Sequence, residues 1–108
     1  MDTPITVQPA VSTSTLLPLE KFLTAMASPV RWRILRELSA GEPLPVSEIA
    51  QRVGGSRDGT SKHLGVLRRG GLVVRGRGML YTIPKANQPV PGQPVLEYGH
   101  CLLRLNAA

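Results

Sequence analysis

The sequence predicts a mainly α-helical domain carrying a small β-hairpin, an α+β class with the order α-α-α-α-β-β and then a C-terminal strand or helix. Three observations predict it. Apolar residues recur at intervals of three and four between Leu16 and Leu67, the spacing of helices that bury one face. Two short β-type runs, "LVVR" and "MLYTI", flank Gly76-Arg77-Gly78, whose glycines permit the positive φ angles of a tight hairpin. A length of 108 residues suffices for one hydrophobic core and not for two.

Residues 1–14 mix Pro, Thr, Ser and Gln without helical or alternating spacing. They are expected to form a flexible tail, because such a composition buries too little apolar surface to offset ordering entropy. Leu16, Leu19, Phe22, Leu23 and Met26 define one face of a first helix. Pro29 closes it and opens a second, with Val30, Ile34, Leu35 and Leu38 inward and Gly41 as its stop. Val46, Ile49, Ala50 and Val53 give a short third helix ending at Gly54-Gly55. Ser56 or Asp58 then caps a fourth through a side-chain oxygen, with Leu64 and Leu67 inward until Gly70-Gly71 breaks it. The hairpin follows and Pro84 ends its second strand, so residues 15–84 make the folded domain.

Residues 85–94 include Pro89, Pro91 and Pro94 and read as an extended connection rather than a helix. The segment 95–108 contains "VLEYGHCLLRL", which permits two structures. Its length and leucines suit a helix, whereas Gly99 and the alternation Leu96, Tyr98, His100, Leu102 favour a strand. Either buries Leu96, Leu102 and Leu103, in a segment expected to serve packing or dimerisation.

Charge is distributed unevenly. Residues 52–85 hold Arg52, Arg57, Lys62, Arg68, Arg69, Arg75, Arg77 and Lys85 against Asp58 alone, which is +7, while the whole chain carries +6. The rest of the chain therefore sums to −1. A dense cationic segment on a folded domain fits a polyanion, nucleic acid before anionic membrane. The single cysteine, Cys101, forms no intramolecular disulfide and no CxxC framework, which fits a reducing cytoplasm. The opening "MDTPITVQPAVSTSTLLPL" lacks a basic n-region and a long apolar h-region, so neither a signal peptide nor a membrane span is expected.

An enzyme is not expected. Ser61 and His63 are two apart on a helix and point to different faces, so they form no nucleophile and base pair. The sequence holds no glycine-rich phosphate loop or paired-carboxylate pattern, and no cofactor is implied.

Helices followed by a basic hairpin describe a winged helix-turn-helix. A helix of this kind fits the major groove and reaches base edges with its N-terminal side chains, while the preceding helix crosses the DNA backbone. Arg57, Asp58, Thr60, Ser61 and Lys62 occupy the first turns of the fourth helix. Gly59 costs that helix roughly 1 kcal/mol relative to Ala, which close approach of DNA would explain. Arg75 and Arg77 sit at the hairpin tip, within reach of phosphates or a neighbouring minor groove. Other residues keep two readings: Arg68 and Arg69 suit either DNA or the negative end of the helix dipole, and His63 either the DNA backbone or a packing hydrogen bond. Trp32 reads as interhelical or dimer packing.

The stretch "MASPVRWRILRELSAGEPLPVSEIAQRVGGSRDGTSKHLGVLRRGGLVVRGRGMLYTI" resembles the ArsR-type family of bacterial winged-helix transcriptional repressors. "SPVRWRILREL" is similar to the family's second-helix pattern, and "SKHLGVLRRGGLV" to its recognition helix and wing entry. Tyr81 stands where the family usually has an aromatic closing the wing. The resemblance implies that Arg57, Thr60, Ser61 and Lys62 face bases or nearby phosphates, that His63 sits near the DNA backbone and that Arg77 belongs to the wing. It also implies a homodimer built largely from the first helix and the C-terminal segment, acting as a repressor on double-stranded DNA at an inverted-repeat operator.

The resemblance has departures. Many family members sense metals through third-helix cysteines, and "PLPVSEIAQ" contains none. Glu97, His100 and Cys101 are weak candidate metal ligands, which share one face only if the C-terminal segment is helical, and an isolated trio of this kind more often serves packing and surface chemistry. The competing reading is a winged helix that binds protein or RNA without operator specificity. The concentrated charge argues against the first, and the scarcity of aromatic platforms, one Trp, two Tyr and one Phe, against single-stranded RNA.

Overall fold

A computed structural model describes residues 19–89, 95–98 and 102–104. Four helices come first: α1 (Leu19–Met26), α2 (Pro29–Leu38), α3 (Val46–Val53) and α4 (Arg57–Arg69). Two antiparallel hairpins follow, β1 (Val74–Arg75) with β2 (Tyr81–Thr82), and β3 (Val95–Glu97) with β4 (Leu102–Arg104). The expected tail at 1–14 lies outside the described residues.

The helix boundaries have local causes. Ser28 caps α2 by accepting from the Arg31 backbone N–H at 3.3 Å, and Pro29 occupies the first turn, where its missing N–H leaves no gap. Gly54 ends α3 in the left-handed conformation, φ 74°, with its N–H directed to the Ala50 and Gln51 carbonyls, the glycine stop that a residue with a Cβ resists. Each of α2, α3 and α4 packs on the other two, and α1 lies against α2 and α4. Ile34, Leu35, Leu38, Ile49, Leu64 and Leu67 make their common core.

The first helix differs from its expected face. Phe22 and Ala25 are buried, whereas Leu19 and Leu23 are exposed by 48% and 57%. Small Ala25 is the contact, because α1 and the end of α4 meet closely there: a Cβ on Gly70 would lie 3.3 Å from the Ala25 Cβ and 3.3 Å from the Lys21 carbonyl.

The first hairpin is shorter than "LVVR" and "MLYTI" suggest. Leu72 and Val73 are buried ahead of the paired residues, and pairing begins with Val74 opposite Thr82 and Arg75 opposite Tyr81. Tyr81 also bridges to Leu44, with N–H to carbonyl bonds of 2.8 and 3.0 Å in the two directions, so the loop before α3 is tied to the wing. At the tip the left-handed residues are Gly78, as expected, and Met79, whereas Gly76 stays extended with φ −105°.

Two further segments add detail to what the sequence predicts, and residues 90–94 of the connection lie outside the described residues. Within the connection at 85–94, Lys85–Asn87 form a 3-10 turn, which Pro84 starts by accepting the Asn87 N–H at 2.8 Å. The C-terminal segment is strand, the alternative its alternation favours, and it forms a hairpin rather than one continuous strand, with Leu96 opposite Leu103. Leu96 and Tyr98 are buried and Leu103 packs on the core. The Tyr98 ring tilts against Phe22 with centroids 5.7 Å apart, and its hydroxyl donates to the Leu72 carbonyl at 2.9 Å. Burial pushes the phenol above its ordinary pKa.

Candidate nucleic-acid interface

The Gly54-Gly55 turn aims the start of α4 outward. Ser56 caps it by accepting the Gly59 N–H at 3.0 Å. Asp58, the other capping candidate, lies in the first turn, where its negative charge complements the helix dipole. Gly59 has an explanation inside the chain: a Cβ there would stand 2.9 Å from the capping Ser56 hydroxyl. The glycine serves the cap, and close approach of DNA is not needed to account for it.

From this start Arg57, Asp58, Ser61 and Lys62 are all exposed. Thr60 is not. It is 2% exposed because residues 60, 64 and 67 follow the four-then-three spacing of the inner face, so the expectation that Thr60 faces bases is overturned. The leucines already mark that face, and the spacing alone assigns Thr60 to it.

His63 is half-buried on the flank toward α2, where Arg31 Nη1 lies 3.1 Å from its Nδ1. An arginine only donates, so Nδ1 accepts and the ring proton resides on Nε2. The same guanidinium donates from Nε to the Ala25 carbonyl at 2.6 Å and from Nη2 to the Thr24 carbonyl at 3.0 Å. Of the two readings for His63, the packing hydrogen bond is the one this geometry forms. Arg31 is not legible as its partner in the sequence, since the two are 32 positions apart. Ser61, exposed beside the wing, is on another flank, so no nucleophile and base pair forms.

The wing and α4 enclose a cleft of about 420 Å³. Arg57, Asp58 and Ser61 line it from α4, Arg75 and Met79 from the wing, and Ser47 from the start of α3. Ser47 and Met79 escape a reading of the sequence because neither has a charge or motif to mark it. Arg77 is exposed at the wing tip, and Arg68 is exposed near the end of α4. Phosphates passing over this face would meet cations from both the helix and the wing.

Arg52, one of the eight cations in the basic segment, belongs elsewhere. It reaches Glu48 at 3.0 Å, Glu37 at 3.7 Å and Glu42 at 3.8 Å, and the hydrogen bond to Glu48 raises its pKa. His100 and Cys101 of the weak metal candidates lie outside the described residues, while exposed Glu97 accepts the Asn87 side-chain N–H on its carbonyl. Among the described residues no three His, Cys, Asp or Glu side chains are grouped to hold a metal, and no helix is long and apolar enough to cross a membrane.

Comparisons with known proteins agree with this architecture. The helix-turn-helix domain family matches residues 26–76. The HTH-type transcriptional regulator NmtR of Mycobacterium tuberculosis is 42% identical over 64 residues, covering 56% of this chain and 52% of that protein. The chain thus spans about half the length of this curated relative. Among solved structures, HlyU from Vibrio cholerae superposes with a TM-score of 0.52 at 37% identity, over 60% of this chain and 73% of that one. The transcriptional repressor PagR of Bacillus anthracis gives 0.52 at 32% identity, over 62% and 83%. With its four helices, its wing and these relatives, the chain belongs to the ArsR-type family of winged helix-turn-helix regulators, a family of regulators rather than enzymes.

Proposed function

We propose that the protein is a transcriptional regulator that binds double-stranded DNA sequence-specifically, as a homodimeric repressor at an inverted-repeat operator in the cytoplasm. One observation carries the reading: Arg57 from the start of α4 and Arg75 from the wing line a single cleft, and Lys62 on the same helix and Arg77 on the same wing are exposed. A helix start of this chemistry suits base edges in the major groove, and a wing beside it suits the adjoining backbone and minor groove. The name of PagR as a transcriptional repressor supports repression. Exposed Leu19 and Leu23 on α1 support a second copy of the chain, since they form an apolar strip without cover among the described residues. Two-fold symmetry then sets the recognition helices roughly 34 Å apart, in successive major grooves.

The test is binding of the purified protein to duplex DNA from its own upstream region, titrated against unrelated duplex over a salt series, with sedimentation in parallel. Preference for the upstream duplex that persists at physiological salt, by a dimer, is the expected result. Binding of equal strength to both duplexes that collapses with salt overturns operator recognition and leaves charge alone as the cause.

A further inference from the structure

Met79 combines two unfavourable features at the tip of the wing. Among the described residues it alone of the non-glycines has a left-handed backbone, φ 63°, a region that a residue with a Cβ resists. It is also the most exposed large apolar side chain among them, at 61%, and so gains little from burial within its own chain. Its neighbour Gly78 is left-handed too, φ 70°. Glycine therefore already serves this turn once, and glycine or asparagine at 79 would satisfy the same backbone without the penalty. A strained backbone that holds an apolar side chain in solvent points to a role for that side chain outside the chain.

The surroundings specify the partner. Met79 lines the cleft whose other walls carry Arg57, Asp58, Ser61 and Arg75, and Arg77 is exposed beside it. Three cations around one apolar tip match the minor groove of DNA, where phosphates flank a floor and walls of base edges and deoxyribose carbons. Methionine suits such a surface, being unbranched, adaptable and polarisable. We propose that Met79 is a specificity-determining residue of the wing, making an apolar contact in the minor groove next to the bases read by α4, with Arg75 and Arg77 on the flanking phosphates. This rests on the DNA-binding reading above. Because the minor groove distinguishes sequences mainly through its width and deformability, Met79 selects flanking base steps that open readily and leaves the bases under α4 unaffected.

The test uses Met79→Gly and Met79→Asn, both compatible with the left-handed backbone, so that folding is retained. Wild type and each variant are used separately to enrich a duplex library of randomised sequence, and affinity is then measured on the duplex that wild type selects. The expected result is an unchanged preference under α4, a flattened preference at the flanking positions and an affinity lower by about tenfold, as for one unfavourable base pair. The thermal midpoint of Met79→Gly should equal or exceed that of wild type, which separates impaired recognition from impaired folding. Variants that select the same flanking bases with the same affinity overturn this inference alone. A wild-type protein that enriches no sequence overturns the DNA-binding reading and this inference with it.

Discussion

Arg52 and Arg57 stand on opposite sides of the Gly54-Gly55 turn, and the chain treats them oppositely. Arg52 is held by three carboxylates, Glu37, Glu42 and Glu48, drawn from α2, the following loop and α3. Arg57 faces the cleft, and no ion pair joins it, Lys62, Arg75 or Arg77 to a carboxylate among the described residues. The same residue type is thus a structural clamp before the turn and a presented charge after it. A count along the sequence merges the two, whereas the fold separates charge that is neutralised locally from charge open to a polyanion.

The contrast breaks most visibly through the presented cations. Replacing Arg57 and Arg75 together with Ala should weaken binding to the enriched duplex by about 1–3 kcal/mol for each base edge no longer read, and lower the salt slope by about 1 for each phosphate no longer neutralised. Fluorescence anisotropy over a potassium chloride series measures both, and unchanged values would remove the cleft from the DNA face.

Tyr98→Phe affects stability instead. It leaves the buried Leu72 carbonyl without its donor and should cost about 1–3 kcal/mol in chemical denaturation, with the salt slope unchanged. The phenol also sets a sign for pH. Its folded pKa is raised above the ordinary 10.0, so its contribution is complete below that value and is lost as pH rises through the folded pKa. Stability should therefore fall on the alkaline side in wild type, and less steeply in Tyr98→Phe.

Ser56→Ala removes the α4 cap and should cost about 1 kcal/mol, read from the thermal midpoint. The smallest effect belongs to Arg52→Ala. Its charge is engaged by its own chain and exposed, so the salt slope should match wild type; a slope reduced as far as by Arg57→Ala would dissolve the distinction between the two cations.

Periodicity and punctuation make α2, α3 and α4 legible in the sequence, because Pro29, Gly54 and Ser56 act on backbone groups within one turn of themselves. The outward row of α4 is legible for the same reason, and the spacing that marks Leu64 and Leu67 also assigns Thr60 inward, although its polarity argues for the outer row. Features depending on distant partners are not legible. Arg31 meets His63, Tyr98 meets Leu72 and Leu44 meets Tyr81 only after the chain has folded. The buried face of the first helix is misassigned because leucines outweigh an alanine in any apolar pattern, although close approach to Gly70 favours Ala25. Met79 goes unnoticed because nothing in its residue type announces a left-handed backbone.

The hydrogen bond from Tyr98 to Leu72 spans 26 positions, and the whole wing lies between its ends. The wing is therefore an arc of a closed ring rather than a free arm. Closing a ring restricts the arc's diffusion relative to the body that holds the ends, at an entropic cost that grows only slowly with contour length, and burial of Leu96 and Tyr98 opposes that cost. The C-terminal hairpin thus limits how far Arg75, Arg77 and Met79 wander from α4, while none of its described residues lines the cleft.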